Sequence, residues 1–175
     1  PFNSNELTNI TISPENHNFS WFDNKLLLKK SNPDIDNFDV IIYAKRDITH
    51  ALIPSNVKII DQYSFYKCKK LETIEFQSYS QLSSIKDHAF DSSSIKSINI
   101  PQEVIEIGES AFESSSIESI TIPQKIKLLP KYCFHRCYKL TRVEFAKNSQ
   151  LSIIDENSFN YTKISRITIP SLVNK

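Results

Sequence analysis

Apolar positions recur along this chain at a nearly constant interval, and five phenylalanines mark that interval. They are Phe65, Phe90, Phe112, Phe134 and Phe159, separated by 25, 22, 22 and 25 residues. A period of this length indicates a solenoid, because one short coil cannot bury its own apolar face and must stack on its neighbours.

Each coil carries an apolar triplet with the spacing i, i+3, i+5. The last two members of the triplet alternate with a polar residue, which predicts a short strand with one face in the core. The triplets are Leu71, Ile74 and Phe76; Ile95, Ile98 and Ile100; Ile117, Ile120 and Ile122; Leu140, Val143 and Phe145; Ile164, Ile167 and Ile169; and, as a sixth copy, Leu7, Ile10 and Ile12. An apolar pair before each phenylalanine belongs to the return side of the coil: Val57 and Ile60, Leu82 and Ile85, Val104 and Ile107, Ile126 and Leu129, Leu151 and Ile154.

We expect residues 1–175 to form a single solenoid, with regular coils of 22 or 25 residues in 51–175. The shorter coils end their strand in proline, as at Pro101, whereas the longer coils carry an extra loop, as after Phe76. Residues 19–50 interrupt the count, and we predict an irregular strand-loop-strand segment there. Because the chain starts at Pro1 and stops where a further coil has barely begun, we expect it to be a piece of a longer protein.

Two motifs resemble those of a known family. Residues 65–76 read F-x-x-C-x-x-L-x-x-I-x-F, and residues 100–112 read I-P-x-x-V-x-x-I-G-x-x-A-F. They look like the BspA-like, or Treponema pallidum-type, leucine-rich repeats. Residues 12–30 are similar to a further element of that family, with Asn24 where glycine is usual, and KLLLKK followed by FDVIIYAKRDI looks most like protist copies such as those of Trichomonas.

The resemblance implies a leucine-rich repeat solenoid of the α/β class, dominated by β-structure. It implies a parallel sheet on the concave face and short helices or turns on the return side. It also implies a surface protein that adheres to host cells, extracellular matrix or other microbes.

Composition excludes several classes of function. With one glycine, Gly108, the chain has no glycine-rich phosphate loop, dinucleotide fingerprint or nucleophile elbow. A net charge of +1 without a long basic run gives no support to nucleic-acid binding. No apolar run is long enough to span a bilayer, so we expect membrane attachment only through a segment outside this chain. The four histidines fall at unrelated repeat positions, and we expect neither an active site nor a cofactor.

The cysteines are predicted to be buried and reduced. Cys68 and Cys137 occupy the same place in two copies, and three coils separate them by roughly 15 Å at about 4.8 Å per strand, which is too far for a disulfide. A zinc cluster of Cys133, His135 and Cys137 is the alternative. It lacks a fourth ligand and uses positions that the repeat assigns to the core, so we expect no metal site.

Polar residues between the buried members of the triplets should align across coils into two exposed columns. The candidate partner-binding residues are Thr73, Ser97, Ser119, Arg142 and Arg166 in one column and Glu75, Asn99, Thr121, Glu144 and Thr168 in the other. Solenoids bind partners on such extended surfaces. Tyrosines in the turns offer a second candidate surface: Tyr66, Tyr79, Tyr138 and Tyr161.

These features predict a non-catalytic binding or adhesion module of a cell-surface or secreted protein, with protein or glycan ligands. The alternative is an intracellular, cytoplasmic scaffold with the same fold. Three N-x-S/T sequons favour the outside of the cell and make Asn9, Asn18 and Asn160 possible glycosylation sites.

Overall fold

The computed structural model describes Leu7 and residues 9–174, which form a β-solenoid. Every regular element in this part of the chain is a strand. The strands are β1 (Phe19–Phe22), β2 (Leu26–Lys29), β3 (Val40–Ala44), β4 (His50–Ile53), β5 (Ile59–Ile60), β6 (Thr73–Phe76), β7 (Ser84–Ile85), β8 (Ser97–Ile98), β9 (Glu106–Ile107), β10 (Ser119–Ile122), β11 (Leu128–Leu129), β12 (Arg142–Phe145) and β13 (Ile153–Ile154).

Five strands lie side by side on one face of the solenoid, which we call the front face: β4, followed by the predicted strands of four triplets, β6, β8, β10 and β12. β4 pairs in parallel with β6 and β6 with β8, and β10 pairs in parallel with β12. Their side chains alternate between exposed and buried, as in the pattern of β10, where Ile120 and Ile122 are buried. The period-2 prediction is therefore confirmed for these coils.

The return side of the coils consists of two-residue strands and turns. β3, β5, β7 and β9 form one parallel ladder and β11 pairs with β13. The sequence predicted short helices or turns on this side: the turns are confirmed, and the helices are wrong, since residues 9–174 contain none. The physical reason lies in the turns: a residue with positive φ stands two positions before and two positions after each phenylalanine, and a right-handed helix cannot pass through such residues.

These turns are unusual because their left-handed residues are not glycines. They are Tyr63, Lys67, His88, Ser92, Ser110, Ser114, Tyr132, Arg136, Asn157 and Tyr161, with φ between 53° and 60°. The conformation turns backbone N–H groups towards the next coil: Ser92 N–H donates to Glu113 O (2.7 Å) and Ser114 N–H to His135 O (2.8 Å). Hydrogen bonds between coils therefore hold a conformation that costs about 1–2 kcal/mol per residue.

The five phenylalanines form a continuous stack through the core. Successive ring centroids are 5.0, 5.1, 5.3 and 5.5 Å apart, and the ring planes deviate from parallel by 18° or less. The first four rings are fully buried and Phe159 is partly buried. One period of the sequence therefore corresponds to one coil of the solenoid.

The two ends depart from the repeat. Leu7, Ile10 and Ile12, predicted as a sixth copy, form no strand and pack on a separate cluster of Leu27, Val40, Ile42 and Tyr43. The antiparallel strands β2 and β3 contribute to both this cluster and the solenoid core, since Leu26, Leu28, Ile41 and Ala44 pack in the core. The last triplet also lacks a strand, and Ile169 is 47% exposed. Both triplets have the required spacing, but in the described chain neither is paired with a neighbouring strand.

Residues 19–50 contain the two predicted strands, β2 and β3, with β1 before them. The ring of Trp21 packs edge-to-face on that of Tyr43, with 6.3 Å between the ring centroids. Its indole N–H donates to Ile10 O (3.3 Å). The loop between β2 and β3 is tied down at buried Asp39, whose carboxylate accepts hydrogen bonds from the N–H and hydroxyl of Ser31 (both 2.8 Å).

Candidate functional site

The front face carries the predicted polar columns, and strand register aligns part of them. Thr73 lies opposite Ser97, Ser119 opposite Arg142, and Thr121 opposite Glu144. In residues 9–174 the front ladder is interrupted between β8 and β10, and the return ladder between β9 and β11. Ser119 is partly buried, and the remaining predicted residues are exposed: Thr73, Glu75, Ser97, Asn99, Thr121, Arg142, Glu144, Arg166 and Thr168.

Sequence reasoning missed one rung of this face. Ile48, Ala51 and Ile53 are buried with the i, i+3, i+5 spacing, and the last two lie in β4. Its outward residues, His50 and Leu52, extend the two columns, and His50 Nδ1 lies 2.9 Å from Thr73 Oγ1. The spacing was the available signal, but the small Ala51 in a position otherwise held by larger residues obscured it.

A groove of about 870 Å³ opens between β12 and residues 165–168. It brings together four predicted residues, Arg142, Glu144, Arg166 and Thr168, with Thr121 at its rim. In the described chain no backbone hydrogen bond joins residues 164–169 to β12, although just before them Lys163 N–H donates to Leu140 O (2.9 Å). The groove is thus the place where the last coil separates from its neighbour.

One edge of β12 faces this groove. Arg142 and Ala146 donate their N–H groups to Glu118 O (3.4 Å) and Ile122 O (3.0 Å) on the coil of β10. Because alternate residues of a parallel strand direct their backbone groups to opposite sides, those of Val143 and Phe145 point towards the groove. The groove therefore offers an open strand edge.

The charges at the groove do not cancel. Arg142 Nε lies 3.5 Å from Glu144 Oε1, and both side chains are more than half exposed. Among the described residues no carboxylate lies within salt-bridge distance of Arg166. The groove therefore presents an exposed guanidinium beside a loosely paired one, and guanidinium groups suit carboxylate or sulfate partners.

The turn tyrosines lie on the edges of the coils, apart from the groove. Tyr79, Tyr138 and Tyr161 are 96%, 58% and 57% exposed. Tyr66 is partly buried, with its ring against Tyr63 (5.5 Å). The sequon residues Asn9, Asn18 and Asn160 are all exposed.

The three cysteines are free and fully buried, which confirms their predicted burial. Burial raises the pKa of the thiols of Cys68 and Cys137, to about 11 for Cys137, and raises that of Cys133 well above its usual value. In the described part of the chain, the donor atoms of Cys133, His135 and Cys137 do not form a group with metal-ligand spacing.

Stacked coils with a parallel front face and outward polar columns define a leucine-rich repeat solenoid. The chain belongs to the BspA-type leucine-rich repeat family: the family model, a BspA type leucine rich repeat region, matches residues 37–81 and 76–175 in 6 copies. Comparison with curated protein sequences finds no significant match.

Solved structures of bacterial leucine-rich repeat proteins share this fold. A protein from Eubacterium ventriosum is 22% identical with a TM-score of 0.67, and the alignment covers 92% of this chain and 48% of that one. A leucine rich cell surface protein from Faecalibacterium prausnitzii is 20% identical with a TM-score of 0.63, covering 87% of this chain and 49% of that one. This chain therefore spans about half the length of these proteins. At such identities the likeness shows the fold alone.

No helix in the described residues is long and apolar enough to cross a lipid bilayer.

Proposed function

We propose that this chain is a non-catalytic binding module of a cell-surface protein, which recognises protein or glycan ligands on host cells, in extracellular matrix or on other microbes. The groove beside β12 carries the proposal, since it joins an open strand edge to two arginines of the predicted columns. A surface location is supported by the family and by the F. prausnitzii structure, which is described as a cell surface protein.

The groove favours an extended, acidic peptide segment of a protein ligand. An added strand satisfies the backbone groups on the open edge of β12, which is how many sheets capture peptides. Carboxylates on the peptide can then accept forked hydrogen bonds from Arg142 and Arg166. A glycan would use the arginines but leave the edge without its partner strand.

Charge reversal at the groove tests this proposal. The double variant Arg142→Glu/Arg166→Glu should weaken binding to host-cell or matrix ligands at least about tenfold, because each charge-assisted hydrogen bond contributes roughly 1.5–3 kcal/mol. The melting temperature should change little, since both side chains are exposed. Lys70→Glu/Lys127→Glu is the matched control, with the same change of charge at exposed sites outside the groove.

Two results would overturn the assignment. Unaltered binding in the arginine variant, with loss in Tyr66→Ser/Tyr138→Ser, would move the site to the turns. Absence of binding to any host, matrix or microbial surface in the parent chain would favour the alternative, an intracellular scaffold. Three free cysteines would suit the reducing interior of a cell and so favour the scaffold. The exposed sequons favour a location outside the cell.

We further propose that this chain is closest to the protist members of its family. The support is the amino-acid sequence of residues 25–60, which resembles the repeats of protist members.

A further inference from the structure

The turns that follow the stacked phenylalanines bring three metal-ligating side chains together. Asp91 and Glu113 directly follow Phe90 and Phe112, so they occupy the same position in adjacent coils. His88 lies two residues before Phe90, in the same turn as Asp91. Each of the three residues offers one ligand atom, and these atoms all lie within 4.8 Å of one another.

The turn holds these side chains in a defined arrangement. His88 Nδ1 lies 3.0 Å from Asp91 Oδ2, and the imidazole ring stacks on Tyr63 with 4.9 Å between centroids and 7° between planes. The other carboxylate oxygen of Asp91 accepts a hydrogen bond from Ser92 Oγ (2.8 Å). All three residues are partly buried, so they are shielded from bulk water while remaining reachable.

Negative charge at this cluster is poorly compensated. Asp91 and Glu113 place two carboxylates in adjacent coils, and in the described residues no basic side chain lies within salt-bridge distance of Glu113. Burial is the main cause that raises the pKa of the nearby Cys137 thiol, but Glu113 and Asp91 raise it further. Like charges in neighbouring coils repel, and a bound cation would reverse the sign of that interaction.

The corresponding turn of the next coil contains a buried histidine, His135. His135 follows Phe134 as Glu113 follows Phe112, and the two turns are joined by the hydrogen bond from Ser114 N–H to His135 O (2.8 Å). The ring is 8% exposed, and its Nδ1 has no hydrogen-bond partner. A nitrogen without a partner therefore lies in the coil next to Glu113.

We propose that His88, Asp91 and Glu113 bind a divalent transition-metal ion between two adjacent coils, with water completing the coordination. One imidazole and two carboxylates suit zinc and its neighbours in the first transition row, whereas calcium and magnesium prefer oxygen donors alone. With metal–ligand bonds of about 2.0–2.2 Å, the donor atoms need to close to roughly 3.3 Å, which side-chain rotation can supply. The ion would clamp the turn after Phe90 to the turn after Phe112.

Titration calorimetry with zinc on the metal-free chain tests the proposal. We expect one zinc ion per chain, at least tenfold weaker binding in each of His88→Gln, Asp91→Asn and Glu113→Gln, and unchanged binding in the controls His50→Gln and Glu109→Gln. Zinc should also raise the melting temperature of the parent chain and leave that of the three variants unchanged. Melting each variant in chelator first shows whether it is folded.

Cobalt identifies the donors. Bound cobalt should show ligand-field absorption without thiolate charge transfer, and calcium should not displace it. Three results would overturn the proposal: no zinc binding to the folded parent, binding that survives in all three variants, or thiolate absorption that disappears in Cys133→Ala/Cys137→Ala. The last would assign the metal to the cysteines.

Discussion

Replacing Phe112 with alanine should destabilise the chain more than almost any other single truncation. The ring is fully buried and stacks on Phe90 at 5.1 Å and on Phe134 at 5.3 Å. Emptying a packed aromatic site costs about 3–5 kcal/mol, and within that range the loss of one aromatic pair accounts for about 0.5–1.5 kcal/mol. Because Phe112 loses a pair on both sides, we expect a cost of about 4–5 kcal/mol.

Two matched changes calibrate this value. Phe159→Ala removes a partly buried ring with one described stacking partner, Phe134 at 5.5 Å, so its cost should be lower by about 1–2 kcal/mol. Glu118→Ala changes an exposed side chain in the coil that follows Phe112, and its effect should stay within about 0.5 kcal/mol.

Urea unfolding followed by circular dichroism measures all three free energies. Hydrogen exchange on Phe112→Ala should show faster opening in the coils on both sides, because each coil of a solenoid contacts its neighbours alone. Equal losses at Phe112 and Glu118 would refute the assignment of inside and outside. Equal losses at Phe112 and Phe159 would refute the additional stabilisation from stacking on two sides.

Two further predictions concern the thiols and the turns. Cys68 and Cys137 should resist alkylation at pH 8 in the native chain and react after unfolding, because burial raises their pKa; mass spectrometry checks this, and a 68–137 crosslink would contradict the coil order. Ser114→Gly should stabilise the chain by about 0.5–1 kcal/mol, since Ser114 has a φ of 54°, whereas Ser116→Gly, at a residue without positive φ, should destabilise it by a similar amount. Urea titration compares the pair, and a loss at Ser114 equal to that at Ser116 would show that its turn is not strained.

The core was predictable because its signal is local. The spacing of the phenylalanines and of triplets such as Ile117, Ile120 and Ile122 directly encodes which side chains point inwards. The predicted helices failed because left-handed turns usually require glycine or asparagine, and nothing in residues such as Lys67 indicates that conformation.

Pairing and proximity across coils were harder to predict. The triplet at residues 164–169 has the right spacing and lies beside β12, but in the described chain no backbone hydrogen bond joins it to that strand, and spacing does not show whether such bonds form. The columns of the front face follow from the repeat register alone. The register predicted which positions are exposed, but it did not predict the groove between β12 and residues 165–168. The repeat register did not predict that His88 lies near Glu113, because their proximity also depends on the conformations of the two side chains.

The interruption of both ladders at the same level of the stack has a mechanical consequence. Between β8 and β10 on the front, and between β9 and β11 on the return side, strand pairing is absent in residues 9–174. The hydrogen bond from Glu118 N–H to Lys96 O (2.9 Å), the ion pair of Lys125 with Glu103, turn hydrogen bonds and the contact of Phe112 with Phe134 still join the two coils there. Bonds between coils lie along the long axis of a solenoid, so a pulling force on its two ends loads every level equally. Under tension the chain should part first at this level, leaving two blocks of intact coils that can re-form their contact when the load is removed.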